Sequence, residues 1–535
     1  MTAPTEALTA GAPPDASGGQ GSVQVLLLSA WQRFEHAIDG LTGSGLNPLR
    51  HLGSLGFLCF WALAVSGIYL FAVIDTSVSG AFHSIKQLGQ LPWFYGGWLR
   101  GVHRYAADAF VLIMGAHLLR EWLHGRYARF RRFSWLTGVP LIVFAFVCAI
   151  GGFWLNWDQL GQYSAIATAE WLDALPLLGA PLARNFLTTE AVSDRLFSLF
   201  VFVHLGVALL TLFALWFHIQ RLTRARVLPP LPLGVGALAM LVLLATLQPV
   251  VSGPAANVAV MPQALSFDWL LLFLHPLTRA TSGEFVWFLV GGALLFLLAL
   301  PFISRSTVAP PVALVDADNC SGCRRCFDDC PYAAISMVAH PSGKPGAELA
   351  LVHAERCASC GICAGACPSS TPFRSMERLV TGIDMPQLSV DALRQRMRAG
   401  LARCSDARPI VVFGCAHGPR TGALQAPDVV PMELICAGQM PPSFVEYALR
   451  DGATAVLITG CAEGACAYRH GQAFTHERLL GWREPRLRAS APAERWAVAW
   501  ADARDRRALA DALNALRARV KTVDQGAALV TEVSS

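Results

Sequence analysis

Six apolar runs, near 53–74, 101–121, 136–155, 195–219, 232–250 and 284–303, constrain this chain more than any other feature. Each can cross about 30 Å of hydrocarbon, and backbone in lipid must satisfy its own hydrogen bonds, so each is predicted to be a transmembrane helix. Residues 50–303 are dominated by Leu, Phe, Val and Trp, whereas the chain beyond Arg305 has soluble composition. The sequence therefore reads as a membrane domain followed by a large soluble part. Pro and Gly in the fifth run also fit a re-entrant stretch.

Arginine placement predicts the topology. Arg120, Arg126, Arg129, Arg131 and Arg132 follow the second run, and Arg221, Arg224 and Arg226 follow the fourth. Both loops are expected on the cytoplasmic side of a bacterial inner membrane. Six crossings then put the N-terminus and the soluble part in the cytoplasm. The first 22 residues lack a basic start and an apolar core, and read as a flexible tail. The net charge of +5 owes much to those loop arginines. Without a basic stripe or recognition motif, nucleic acid is excluded as a partner.

The second and fourth runs carry histidines at equal spacing. His103 and His117 are fourteen residues apart, as are His204 and His218. Such a step rises about 21 Å along a helix and returns to within roughly 40° of the same face. In a sequential bundle these two helices run in the same direction. His103 can meet His204 near the outer surface, and His117 can meet His218 near the inner one. Two imidazoles facing each other across a bundle form a bis-histidine haem site. Gly53 and Gly67 on the first helix, and Gly138 and Gly152 on the third, repeat the spacing. A porphyrin between helices needs backbone close to its face, which glycine allows. Arg100 and Arg120 each lie three residues from a ligand, placed either for a haem propionate or for snorkelling to the interface.

The WLRGVH and AHLLR stretches, the paired glycines and GFWLNWDQ together resemble the cytochrome b family of quinol-oxidising complexes, over about residues 47–303. Asn156 stands where that family usually has proline. The resemblance implies two b-type haems within the first four helices. SFDW at 266–269, followed by Arg279, is similar to a degenerate form of the family's Pro-Glu-Trp-Tyr. By that resemblance Asp268 is the catalytic carboxylate for quinol deprotonation, although a solvated loop aspartate is an equal alternative. Arg195 lies nine residues before His204, where the family has an arginine five before its ligand.

The soluble part opens with CSGCRRCFDDCP at 320–331 and repeats it as CASCGICAGACP at 357–368. This spacing is that of two [4Fe–4S] clusters in which each fourth cysteine serves the other cluster. Cys320, Cys323, Cys326 and Cys367 form one set; Cys357, Cys360, Cys363 and Cys330 form the other. The stretch 312–374 resembles bacterial two-cluster ferredoxins.

Farther on, PIVVFGC, TAVLITGC and WAVAWAD read as strands of an α/β open sheet. Cys415 and Cys461 fall where strands give way to loops, the usual place for a site in such a sheet. With Cys436 and Cys466 they make four thiolates suited to a [2Fe–2S] centre or zinc. FGCAHG, ICAG and GCAEGACAYRHG, over about 409–520, resemble the delta subunit of methyl-viologen-reducing hydrogenases, which implies a [2Fe–2S] cluster and a protein docking surface. That family usually begins with Cys-x-x-Cys, whereas here Cys415 is followed by Gly418. Cys404 is a reserve ligand.

The fold class expected is an all-α transmembrane four-helix haem bundle with two further transmembrane helices, then an α+β ferredoxin-like domain and an α/β open-sheet domain. The boundaries are 1–46 for a tail and short cytoplasmic segment, 47–228 for the bundle and 229–311 for two helices with an outer quinone-site-like loop. They continue as 312–374 for the two-cluster domain, 375–408 for a linker, 409–520 for the [2Fe–2S] domain and 521–535 for a tail. The parts form a wire between a cytoplasmic flavoprotein or dehydrogenase and quinone. Conduction to a periplasmic cytochrome c, and anchorage of a flavin-based bifurcating complex, are the alternatives; a homodimer is compatible with the pattern.

Overall fold

The computed structural model describes residues 22–91, 97–175, 182, 192–260, 265–303, 311–368, 378–424, 426–503 and 505–533. The start of the expected N-terminal tail, residues 1–21, lies outside them. The chain divides into a helical unit, residues 21–220 and 225–305, and a mixed unit that includes 306–535.

In the helical unit the predicted runs are α2 (Leu52–Val73), α4 (Gly97–Leu123), α5 (Arg132–Asn156), α7 (Asp194–Ile219), α8 (Leu231–Leu247) and α10 (Gly283–Ile303). Among the described residues, four spans, Leu52–Val73, Arg129–Asn156, Asp194–Ile219 and Gly283–Ile303, are long and apolar enough to cross a membrane. Helix α4 has 27 residues but carries histidines and charges, and α8 has only 17. The apolar side chains Phe202, Leu209 and Phe213 on α7, and Phe288 and Leu295 on α10, point outward. That arrangement suits lipid as the surrounding solvent.

Helix α2 packs along α4, and α5 along α7. Between the two histidine levels these four helices meet in an apolar layer that includes Phe60, Phe110, Leu141, Ala145 and Leu215. Among the described residues, further helices lie outside the predicted runs. They include α1 (Ser22–Thr42), α3 (Ala81–Gln90) and α6 (Gln159–Asp173). Helix α1 falls in the stretch expected as tail and cytoplasmic segment. Buried polar contacts fix it: Gln24 donates to the Trp122 carbonyl at 2.6 Å, and Arg120 donates to Glu35 at 2.8 Å. Helix α6 starts because Trp157 takes a left-handed conformation after α5, and the Asp158 carboxylate then accepts from the Gly161 N–H at 2.9 Å. The short α9 (Leu274–Ala280) precedes α10.

The mixed unit begins with β1 (Leu314–Val315), α11 (Arg325–Asp329), the antiparallel hairpin β2 (Ile335–Ala339) and β3 (Glu348–Val352), α12 (Ile362–Ala366) and β4 (Ile383–Asp384), which pairs with β1. The described part of the expected linker includes a helix. This helix, α13 (Val390–Arg403), is capped by Ser389 and buries Val390, Leu393 and Met397 in the core of the following sheet. Those apolar positions were masked in the sequence by interleaved Arg and Asp.

Strands β5 (Ile410–Cys415), β6 (Val429–Leu434), β7 (Ala455–Gly460) and β8 (Trp496–Trp500) form a parallel sheet in the order β6-β5-β7-β8. Every residue of β5 and β7 is buried, as expected for central strands covered on both faces. Helices α14 (Ser443–Arg450) and α15 (Gly471–Leu479) follow β6 and β7. Helix α16 (Arg506–Val533) covers the sheet and continues through most of the segment read as a C-terminal tail. Leu509, Leu513, Leu516 and Val520 hold its first half against the strands.

Candidate redox centres

The four glycines and four histidines meet one to one. A Cβ added to Gly67 would lie 3.1 Å from Cε1 of His103, and one on Gly152 would lie 3.2 Å from Cε1 of His204. In the other level, Gly138 would bring a Cβ to 3.0 Å from His218 and Gly53 to 3.4 Å from His117. The rings of His103 and His204 face each other with centroids 6.3 Å apart. Two metal–imidazole bonds of about 2.0 Å in line, plus the depth of each ring, span roughly that distance. His117 and His218 lie within electrostatic reach of each other.

Hydrogen bonds select which ring nitrogen is available. Ser66 Oγ donates its proton to the Ala62 carbonyl at 2.6 Å, so at 2.9 Å from His103 Nδ1 it must accept. Thr137 Oγ1 donates to the Phe133 carbonyl and in the same way accepts from His218 Nδ1 at 3.0 Å. His204 Nδ1 donates to the Cys148 carbonyl at 2.8 Å. Three rings thus carry their proton on Nδ1 and leave the Nε2 lone pair for a metal, the arrangement that orients ligating histidines. The residues fit a bis-histidine haem at each level.

Arg100 donates to Asn156 at 3.1 Å and to Ser252 at 2.8 Å, while Asn156 also donates to Asp158 at 2.5 Å. Asn156, the departure from the family proline, is therefore the hub that fixes this arginine. Arg120 is buried against Glu35, and Arg195 is exposed on α7. Asp268 is ion-paired with Arg104, which also pairs with Asp108. It accepts the Leu270 and Leu271 N–H groups at 3.0 and 2.7 Å as well. A carboxylate so engaged serves first as an anchor for the loop. Nothing local in the sequence marks Arg104, because its partner Asp268 is 164 residues away. Nearby, the Arg279 guanidinium lies over the Tyr163 ring at 5.2 Å.

In the mixed unit two cavities sort the eight cysteines as the spacing predicts. One is lined by Cys320, Cys323, Cys326 and Cys367, the other by Cys330, Cys357, Cys360 and Cys363. Arg324 and Ser359 take left-handed backbone, as do Gly322 and Gly361, which curls each loop around its cavity. Burial pushes the Cys326 thiol up to about 12, and Cys360 and Cys363 also rise. Metal must displace those protons on binding.

Cys415, Cys436, Cys461 and Cys466 form a closed, buried quartet, each thiol in hydrogen-bonding contact with two others. Cys415 ends β5 and Cys461 follows β7, the two strands between which the sheet order reverses. Open sheets place their sites at that crevice. Thiol donors and the His417 N–H hold Cys415 below the ordinary thiol range, whereas Cys436 and Cys461, acting as donors, are raised. The reserve ligand Cys404 does not join: its thiol donates to Pro427 ahead of β6, at the opposite end of the sheet. At Gly418 a Cβ would meet the Gly460 backbone at 2.8 Å, so the second cysteine of the family motif has no room.

Comparison with known proteins agrees with this division. Residues 37–225 match the family "Cytochrome b/b6/petB", residues 319–371 the "4Fe-4S dicluster domain", and residues 408–524 "Methyl-viologen-reducing hydrogenase, delta subunit". A solved structure described as "Hyperthermophilic respiratory Complex III" aligns over 48% of this chain and 75% of its own, with TM-score 0.39 and 21% identity. The chain is a multi-pass membrane electron-transfer protein whose successive regions match, in order, the cytochrome b, 4Fe-4S dicluster and methyl-viologen-reducing hydrogenase delta-subunit families.

Proposed function

We propose that this chain is the quinone-reactive subunit of an oxidoreductase complex in a bacterial cytoplasmic membrane, crossing it six times with the iron–sulfur segments inside. Bound haem and iron–sulfur clusters supply reversible one-electron transfer. The protein's part is placement. His103 and His204 hold one haem at the outer level, and His117 and His218 hold a second at the inner level. The apolar layer between them keeps water away from the path. Two cysteine sets hold [4Fe–4S] clusters, and the quartet at the sheet crevice holds a [2Fe–2S] cluster. A cytoplasmic flavoprotein or dehydrogenase supplies the electrons, since two-cubane domains work at low potential, and quinone receives them.

One observation carries this reading: four glycines, four histidines and three Nδ1 acceptors agree on the same two levels. The test is to reduce the purified protein anaerobically and follow haem absorbance on adding a short-chain quinone. Rapid reoxidation supports the reading. The engagement of Asp268 by Arg104 favours a second one, in which a periplasmic cytochrome c takes the electrons. Reoxidation by cytochrome c but not by quinone would select it.

A further inference from the structure

The iron–sulfur ligand sets are not equivalent in their distance from the cysteine quartet. The loop that carries Cys360 and Cys363 packs closely on the turn after Cys436. A Cβ on Gly438 would lie 2.8 Å from Ile362, one on Gly361 would lie 2.9 Å from Gln439, and Gly365 faces the Gly438 carbonyl. Cys360 is within electrostatic reach of Cys466, and Tyr468 within reach of Cys360, Cys415 and Cys436. The first set faces elsewhere: Gly322 lies against the Glu348 carbonyl and Gly382 against Cys320.

One side chain grips both loops. Arg478 is fully buried and donates to the Gly438 carbonyl at 2.9 Å and to Asp329 at 2.7 Å. It also lies 3.5 Å from the Ile362 carbonyl. Asp329 directly precedes Cys330, and Ile362 sits between Cys360 and Cys363. Arg483 donates to the other Asp329 oxygen at 2.8 Å. A planar guanidinium can hold several acceptors in fixed directions, which a lysine cannot.

Resting on the reading of these cysteines as cluster ligands, we propose that the Cys330, Cys357, Cys360 and Cys363 set exchanges electrons directly with the quartet, and that Arg478 is the positioning residue that fixes their separation. Each transfer moves one electron from iron on one set to iron on the other, with no bond or proton change. The Cys320, Cys323, Cys326 and Cys367 set is not the partner of the quartet.

The test is EPR of the reduced, full-length protein, reading the spin relaxation of the quartet's cluster. In Cys320→Ser this signal keeps the fast relaxation of the wild type; in Cys360→Ser, or Cys357→Ser if that folds better, it loses it. The reverse pattern, or equal relaxation in both variants, overturns the inference alone. A wild type without a third iron signal overturns the cluster reading and the inference together, and metal analysis separates the two cases. Arg478→Gln leaves Asp329 its Arg483 partner; it should slow the relaxation at unchanged iron content, with Arg478→Lys only partly restoring it. Unchanged relaxation in Arg478→Gln would overturn the positioning role.

Discussion

The glycines make the sharpest residue-level claim, because each has one histidine opposite. A methyl at Gly67 would press on His103 at 3.1 Å, so Gly67→Ala should lower occupancy of the outer haem and spare the inner one. Difference spectra of purified variants check this, and Gly138→Ala should show the converse. The hydroxyls opposite the ligands act more gently. Removing the acceptor of a ligand N–H makes that imidazole a poorer donor to ferric iron. Ser66→Ala and Thr137→Ala should therefore raise the midpoint potential of the outer and inner haem respectively. A hydrogen bond of about 1 kcal/mol corresponds to a shift on the order of tens of millivolts. Redox titration with optical detection reads the size and sign.

Helices and loops are held by ion pairs between distant parts of the sequence. The loop that carries Asp268 is pinned to α4 through Arg104. Asp268→Asn should cost about 1–3 kcal/mol in thermal stability, while reoxidation of the outer haem by its acceptor stays within about tenfold. A larger loss of electron transfer at unchanged stability would return Asp268 to a proton-handling role. Helix α1 is docked through Glu35. Burial alone would raise the Glu35 carboxyl, but the neighbouring Arg120 outweighs it and leaves the group below the ordinary carboxylate range. A depressed pKa means that the docking energy is present at neutral pH and is lost as pH falls below the ordinary carboxylate range and through the lowered Glu35 value. Limited proteolysis should cut near α1 faster in acid, and Glu35→Gln should show that sensitivity already at pH 7.

Across the whole molecule, what could be read from sequence was whatever chemistry writes at short range. The cubane sets were legible because ligand spacing within each loop is local, and the histidine levels because helix geometry turns a spacing of fourteen into one face. The quartet was legible because Cys415 and Cys461 sit where strands give way to loops. The pairs Arg104–Asp268 and Arg478–Asp329 were not, since they join residues more than a hundred positions apart, and the motifs that contain Asp268 and Asp329 do not specify which arginine each one meets. Helix α13 reads as linker in the sequence because its buried Val390, Leu393 and Met397 are outnumbered by charged neighbours. The account stands on the four imidazoles being two facing pairs. Haem content and redox spectra of His103→Ala, His204→Ala, His117→Ala and His218→Ala test that most directly. The account predicts about two b-type haems per wild-type chain, with the His103 and His204 variants losing the same spectral component and the His117 and His218 variants losing the other. Loss of different components within either pair, or a wild type without haem, would contradict it.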